Sequence, residues 1–192
     1  MKRKILLAMI VGVIALSNVW MAKVLTPAVQ IPGSIAEEVN DFILSELPAT
    51  ESVKNTDLTE EGLVVAVIDG DTIDVQIQNT IKRVRYIGID APEQYLDSGE
   101  VECFAVEATK KNEALVLGET VRLEKDVSEV DRYDRLLRYV YVGEDFVNLR
   151  LVAEGYAQAV TYPPDITLSD VFKKAEAVAR NTEIGFWLLC EK

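Results

Sequence analysis

The sequence predicts an α+β domain, a five-stranded β-barrel with about three helices, preceded by an N-terminal signal or anchor segment and a linker. Three observations carry this. Short β-rich runs separated by turn residues recur from Leu63 to Gly143, amphipathic helical stripes interrupt and follow them, and the first 60 residues differ from the rest in composition. At 192 residues and 49% hydrophobic composition, the chain can bury one sizeable core.

The chain opens with "MKRKILLAMIVGVIALSNVWMA", three basic residues and then an apolar run. Residues 1–22 therefore read as a signal peptide, with "ALS" as a cleavage site, or as an uncleaved anchor over residues 5–22. Either reading places the rest outside the cytoplasm, secreted or held at a membrane. Residues 23–60 form an acidic linker punctuated by Pro27, Pro32, Gly33 and Pro48. Within it, Ser34 as N-cap, Glu37 three residues on, and Ile35, Val39, Phe42 and Ile43 at helical spacing predict a short amphipathic helix.

The globular domain is expected over residues 61–192. "LVVAVIDG", "DTIDVQIQ" and "KRVRYIGID" read as a three-strand meander with turns at Asp69–Gly70 and Asn79–Thr80. "CFAVEATKKNEALVLG" predicts a helix that Gly118 stops, and "TVRLEKD" and "RLLRYVYVG" two further strands, the second opened by Arg135. A short helix closes at Gly155, and Leu168, Val171, Phe172, Ala175, Val178 and Ala179 line one side of another. Five strands with helices in this order fit a barrel of the OB type.

Composition limits the chemistry. The chain has no histidine and only two cysteines, Cys103 and Cys190, which excludes the commonest general base and argues against an ordinary zinc site. A hard, oxygen-seeking cation remains. The net charge of −12 disfavours tight non-specific binding of nucleic acid, so any such role must be local.

Three clusters could carry chemistry. "DGDT" gathers Asp69 and Asp71 at a tight turn; "RVRYIGIDAPE" sets Arg85 five residues before Asp90; "DRYDRLLRY" brings Arg135 to a strand start. Two carboxylates from different strands plus a main-chain carbonyl make an oxygen site suited to calcium, and two arginine forks suit a phosphodiester. Taken singly, each cluster is equally a turn or a solvated surface pair. Their conjunction shifts the reading towards function.

"VIDGDT", "RYIGIDAPE", "DRYDRLLRYVYV", "VNLRLVAEGYAQ" and the final "GFW" resemble the staphylococcal nuclease (thermonuclease) family over about Leu63 to Trp187. The resemblance implies an OB-fold barrel and a calcium-dependent phosphodiesterase that cleaves DNA and RNA and leaves 3′-phosphate ends. It implies Asp71, Asp90 and the carbonyl of Ala91 as Ca2+ ligands, Ala91 standing where the family usually has threonine. Glu93 matches the glutamate that positions or deprotonates the attacking water, and Arg85 and Arg135 match the pair that grips the phosphate. Asp69 and Thr72 would hold Asp71 in place. Arg132 and Tyr133 resemble the basic-aromatic pair bordering the substrate phosphate, with Tyr162 of "VTYPPD" a further substrate contact. Trp187 is expected in the core rather than on a base.

From Glu61 onward there are 15 basic and 25 acidic residues, so flanking phosphates meet a repulsive field, which favours short or single-stranded substrates. A monomer is expected. In an exported chain, Cys103 and Cys190 are expected to pair, two buried thiols being the alternative. A non-catalytic OB nucleic-acid-binding module, or a calcium-stabilised cell-surface interaction domain, stands beside the nuclease reading, because fold alone never fixes function.

Overall fold

Alternation of apolar and polar side chains from Thr59 onward gives strands with one inward face, and those faces close on each other. In the computed structural model, residues 59–94 and 100–190 are described, together with Phe42 and Ser45. The signal or anchor segment, and the linker apart from Phe42, Ser45, Thr59 and Glu60, lie outside the described residues. Phe42 and Ser45 are helical, and Phe42 is half-buried against the domain core. No helix among the described residues is long and apolar enough to cross a membrane.

The elements run β1 (Thr59–Val67), β2 (Thr72–Ile77), β3 (Thr80–Tyr86), β4 (Ile89–Asp90), α1 (Ala105–Val116), β5 (Thr120–Glu124), β6 (Leu136–Val142), β7 (Asp145–Phe146), α2 (Val147–Ala153), β8 (Gln158–Ala159), α3 (Ser169–Asn181) and α4 (Phe186–Leu189). Pairing follows β3-β2-β1-β5-β6, and a parallel β3–β6 contact, Arg85 opposite Leu137, closes the ring. This is the closed five-strand barrel that the order of elements predicts. The strand β7 extends β6, and β4 pairs with β8 outside the ring.

Register follows burial. Ile73 and Val75 of β2, Val84 and Tyr86 of β3, Val121 and Leu123 of β5 and Val140 of β6 all point inward and are buried. A register shift between Val64 and Ala66 bends β1, the usual effect of a bulge on a barrel strand. The helix α2 is sequestered almost whole, and Phe172 of α3 meets Tyr139 and Phe146 with ring centroids 6.2 and 5.7 Å away. Trp187 is buried beside Phe186, with the Arg180 guanidinium 3.9 Å from its ring.

Four boundaries differ from the sequence reading. Strand β1 starts at Thr59, two residues before the expected domain edge, because its first residues pair with β5 down to Thr59–Glu124. The β2–β3 turn is Gln78–Asn79, not Asn79–Thr80: Thr80 pairs with Ile77 and Gln78 takes the positive φ of 54°. Arg135 precedes β6 instead of opening it, since its main chain bonds back to Asp131. The single turn α4 makes four helices among the described residues of the domain where about three are expected; it forms because Gly185, at φ 62°, lets the chain fold onto Gly155.

Cys103 and Cys190 are joined by a disulfide across a separation of 87 residues, tying the segment before α1 to the end of α4. Closing a loop of that length is worth about 4.6 kcal/mol in the chain-entropy model. Reduction should therefore lower the urea midpoint of the domain by a corresponding amount, with intact-mass analysis confirming the change of state; an unchanged midpoint would contradict it.

Candidate active site

Asp71 lies just before β2 and is almost wholly buried, a position that charges occupy only when their oxygens are satisfied. Its Oδ2 accepts from the Ala91 main-chain N–H at 2.7 Å; its Oδ1 accepts from the Thr72 hydroxyl at 3.1 Å and pairs with Arg85 Nε at 3.1 Å. Asp69 stands one step back, its Oδ1 accepting from the Asp71 N–H at 3.0 Å. The turn between them survives because Gly70 is packed tightly: a Cβ there would lie 2.5 Å from the Ala91 Cβ and 3.0 Å from that of Ala108. The "DGDT" turn is thus pressed onto the "DAPE" segment.

Arg85 spans the cluster. Its Nη2 donates to Asp90 Oδ1 at 2.6 Å, and its Nη1 donates to the carbonyls of Tyr86 and Ile89 at 2.9 and 2.8 Å. The guanidinium therefore links β3 to β4 and sits against both Asp71 and Asp90. Asp90 keeps half its side chain open to solvent. Glu93 lies further along the same segment, its N–H held by Glu102 Oε2 at 2.8 Å. Behind the cluster, Asn112 of α1 donates to the Asp69 carbonyl and accepts from the Tyr86 hydroxyl.

The electrostatics are those of acids crowded around one cation. Burial, opposed by Arg85 and reinforced by Asp69 and Asp90, pushes the Asp71 carboxyl up to about 8. Burial also raises Asp90, with Arg85 opposing and Glu102 and Asp69 adding to it. Glu93 is raised by burial and by Asp69, with Arg85 working against them. Asp69, Arg85, Asp90 and Glu93 thus share one electrostatic neighbourhood.

Arg135 belongs to a second group. Among the described residues its ion pair is with Asp131, at 2.6 Å, not with Asp71 or Asp90. The parallel β3–β6 pairing sets Leu136 opposite Val84, so Arg135 arrives beside β3 just ahead of that pair. At the tip of its loop, Arg132 and Arg135 lie over the exposed Tyr133 ring, at 4.7 and 5.3 Å. Tyr162, 67% exposed, sits on the Val160–Asp165 segment, and the structure joins it to neither group by a hydrogen bond.

Asp74, the third aspartate of the "DGDTIDV" run, is not part of the cluster: it pairs with Arg83 directly across β2 and β3. Conversely, four residues that local sequence reading passes over hold the site together, namely Glu102, Asn112, Asp131 and Arg138. Only Asp131 had a visible cue, its spacing of four from Arg135. Arg138 is buried and donates to the Glu129 carbonyl and to the carboxylates of Glu129 and Glu60, fastening the root of the Arg135 loop to β1.

A closed barrel beside which an arginine bridges two aspartates, one just before β2 and one in β4, defines an OB-type protein. The family model for staphylococcal nuclease homologues matches residues 83–188, and the chain belongs to that family. It is 32% identical over 168 residues to the thermonuclease of Staphylococcus intermedius, covering 87% of this chain and 99% of that protein. It is 35% identical to the thermonuclease of Staphylococcus hyicus over 65% of this chain and 73% of that one. An SPbeta prophage-derived endonuclease of Bacillus subtilis is 38% identical over 62% of this chain but only 41% of its own length.

The tight turn and the Asp131 pair can each be tested. Gly70→Ala should cost about 1–3 kcal/mol, the usual penalty for overpacking, because both groups it meets are fixed Cβ atoms; urea denaturation checks it. Burial alone would raise Asp131, but donation from the Arg135 side chain, then from the Arg135 and Tyr133 main chains, outweighs it and holds the carboxyl below its ordinary range. A depressed folded-state pKa contributes stability above the unfolded value, about 3.9, that is lost as pH falls through the folded one. The stability gap between wild type and Asp131→Asn should thus be present at pH 7 and close on acidification below about pH 4; a gap independent of pH would refute it.

Proposed function

We propose that the chain is an exported, calcium-dependent phosphodiesterase that hydrolyses DNA and RNA to 3′-phosphate ends, acting as a monomer on short or single-stranded substrates. The observation that carries this reading is Arg85 spanning Asp71 and Asp90 with Glu93 three residues beyond. Kinship with thermonucleases and an endonuclease supports the substrate class. The Cys103–Cys190 disulfide supports an oxidising compartment.

The residues present suit a hard cation. The donors are oxygens alone, and Asp69, Asp71, Asp90 and Glu93 together outweigh the one arginine among them. No cluster of three acidic or cysteine side chains ready for a metal exists among the described residues, so a cation would rest on Asp71 and Asp90, with the Ala91 carbonyl and solvent completing its shell. When bound, a divalent ion supplies Lewis acidity to a phosphoryl oxygen and acidifies water. Arg85 and Arg135 bind the phosphate oxygens and offset the charge that develops on them. Glu93, whose carboxyl is raised by burial and by Asp69, accepts the proton of the attacking water. Arg132, Tyr133 and Tyr162 meet the flanking nucleotides. The excess of acidic residues weakens longer contacts, so binding should depend on the divalent ion.

Cleavage of a single-stranded oligonucleotide with calcium or with EDTA, beside Glu93→Gln and Arg135→Ala, tests the reading. Loss of cleavage in EDTA and a fall in kcat of about 10²-fold or more in each variant are expected. A folded wild type that binds calcium but cleaves nothing would move the protein to the binding-module reading.

A further inference from the structure

Glu93 hangs on a neighbour that neither its motif nor its spacing singles out. The Glu93 N–H donates to Glu102 Oε2 at 2.8 Å, and the Glu93 carbonyl accepts from the Glu102 N–H at 2.9 Å. Both main-chain polar groups of Glu93 therefore close on one residue. Gln94 strengthens the dock: its amide donates to the Ala105 carbonyl and to the Thr109 hydroxyl in the first turns of α1.

Glu102 in turn is set by the two residues after it. Cys103 is bonded to Cys190 at the end of α4. That end is anchored to the barrel, because Phe186 and Trp187 are buried and the Phe186 N–H donates to the Gly155 carbonyl at 3.0 Å. Phe104, next in the chain, has a φ of 71°, a left-handed conformation that a bulky side chain rarely adopts. It is held there by burial against Tyr156, whose ring centroid is 5.3 Å away. Such strain persists only where the surroundings impose it. Here the disulfide at Cys103 lies on one side of Phe104 in the chain, and the Phe104–Tyr156 contact holds its ring.

We propose that Glu102 is a positioning residue for Glu93 and that the Cys103–Cys190 disulfide switches this positioning on, making hydrolysis dependent on the redox state of the compartment. The inference rests on the role proposed above for Glu93. Cys103 is exposed and Cys190 half-buried, so a thiol can reach the bond. Reduction by a dithiol breaks the S–S bond, leaves two protonated thiols and turns the dithiol into its own disulfide. Freed from α4, the backbone at Phe104 relaxes out of the left-handed region, Glu102 shifts, and Glu93 loses both hydrogen bonds. Arg85 and Arg135 are held by hydrogen bonds to β3, β4 and Asp131 in which Cys103 takes no part. Phosphate binding therefore persists while the proton acceptor is misplaced.

The test combines amide hydrogen exchange at Glu93–Gln94 with steady-state cleavage of a short single-stranded oligonucleotide in calcium, for the oxidised and dithiothreitol-reduced full chain and for Glu102→Gln and Glu102→Ala. Glutamine keeps the oxygen that accepts from Glu93, so Glu102→Gln should match the oxidised wild type. Reduced wild type and Glu102→Ala should exchange faster at Glu93 and lose about tenfold or more in kcat with KM nearly unchanged. Unaltered exchange at Glu93 on reduction, or a loss in Glu102→Gln equal to that in Glu102→Ala, overturns the proposal. Global unfolding on reduction, seen by circular dichroism, overturns the redox switch, and the two Glu102 variants then decide the positioning role alone. If the oxidised wild type cleaves nothing, the nuclease reading fails by itself, while the exchange data still decide whether Glu102 and the disulfide hold Glu93.

Discussion

One guanidinium organises the rim of this barrel. Arg85 gives Nε to Asp71, Nη2 to Asp90 and Nη1 to two main-chain carbonyls, so its planar fork fixes the end of β3, the turn into β4 and the spacing of both aspartates at once. A lysine would offer a point charge and could not hold four oxygens in a plane. The same arrangement leaves an imbalance, since four carboxylates lie around one cation, and burial raises Asp71, Asp90 and Glu93. That imbalance costs stability in the free protein, and it is what a bound cation or the charge of a reacting phosphate can relieve.

The second half of the site is delivered by topology. Strands β3 and β6 are distant in sequence, and their parallel contact is the closure that turns a sheet into a barrel. It carries the Asp131–Arg135 loop to the flank of β3. That loop is fixed at its tip by Asp131 and at its root by Arg138, while Asp165 accepts from the Val127 and Ser128 N–H groups. Asp126 likewise accepts from Tyr139 and Thr167. Several carboxylates are therefore engaged internally, on N–H groups and guanidinium forks, which fixes the loops but leaves the net charge, and the field a polyanion meets, unchanged.

Much of the fold was legible because its signals are local. Alternating β-branched residues, the turn at Asp69–Gly70, the apolar stripe of α3 and the glycines at 118 and 155, which take φ of 80° and 72°, each act within a few residues. The boundary errors have different causes. Thr59 is strand because the distant β5 lies beside it, whereas Arg135 is loop because Asp131, four residues back, captures its main chain. The one-turn α4 depends on Gly155 and Gly185 packing back to back, which no local pattern announces.

By itself the sequence determined the donor chemistry: carboxylates and arginines without histidine, two cysteines, and inward-facing apolar residues at strand period. These come from residue identity and from periodicities of two and 3.6. The tertiary structure decided which carboxylates meet. Asp69, Asp71 and Asp74 lie close together along the chain, yet Gly70 packs on Ala91, whose N–H holds Asp71, while Asp74 pairs with Arg83 across the strands. It decided too that Glu102, Asn112, Asp131 and Arg138 hold the rim in place. Asn112 meets the Asp69 carbonyl and Arg138 meets Glu60 only because distant segments are brought together by the closed barrel, a property of the whole set of strands, whereas Glu102 and Asp131 find partners close by in the chain.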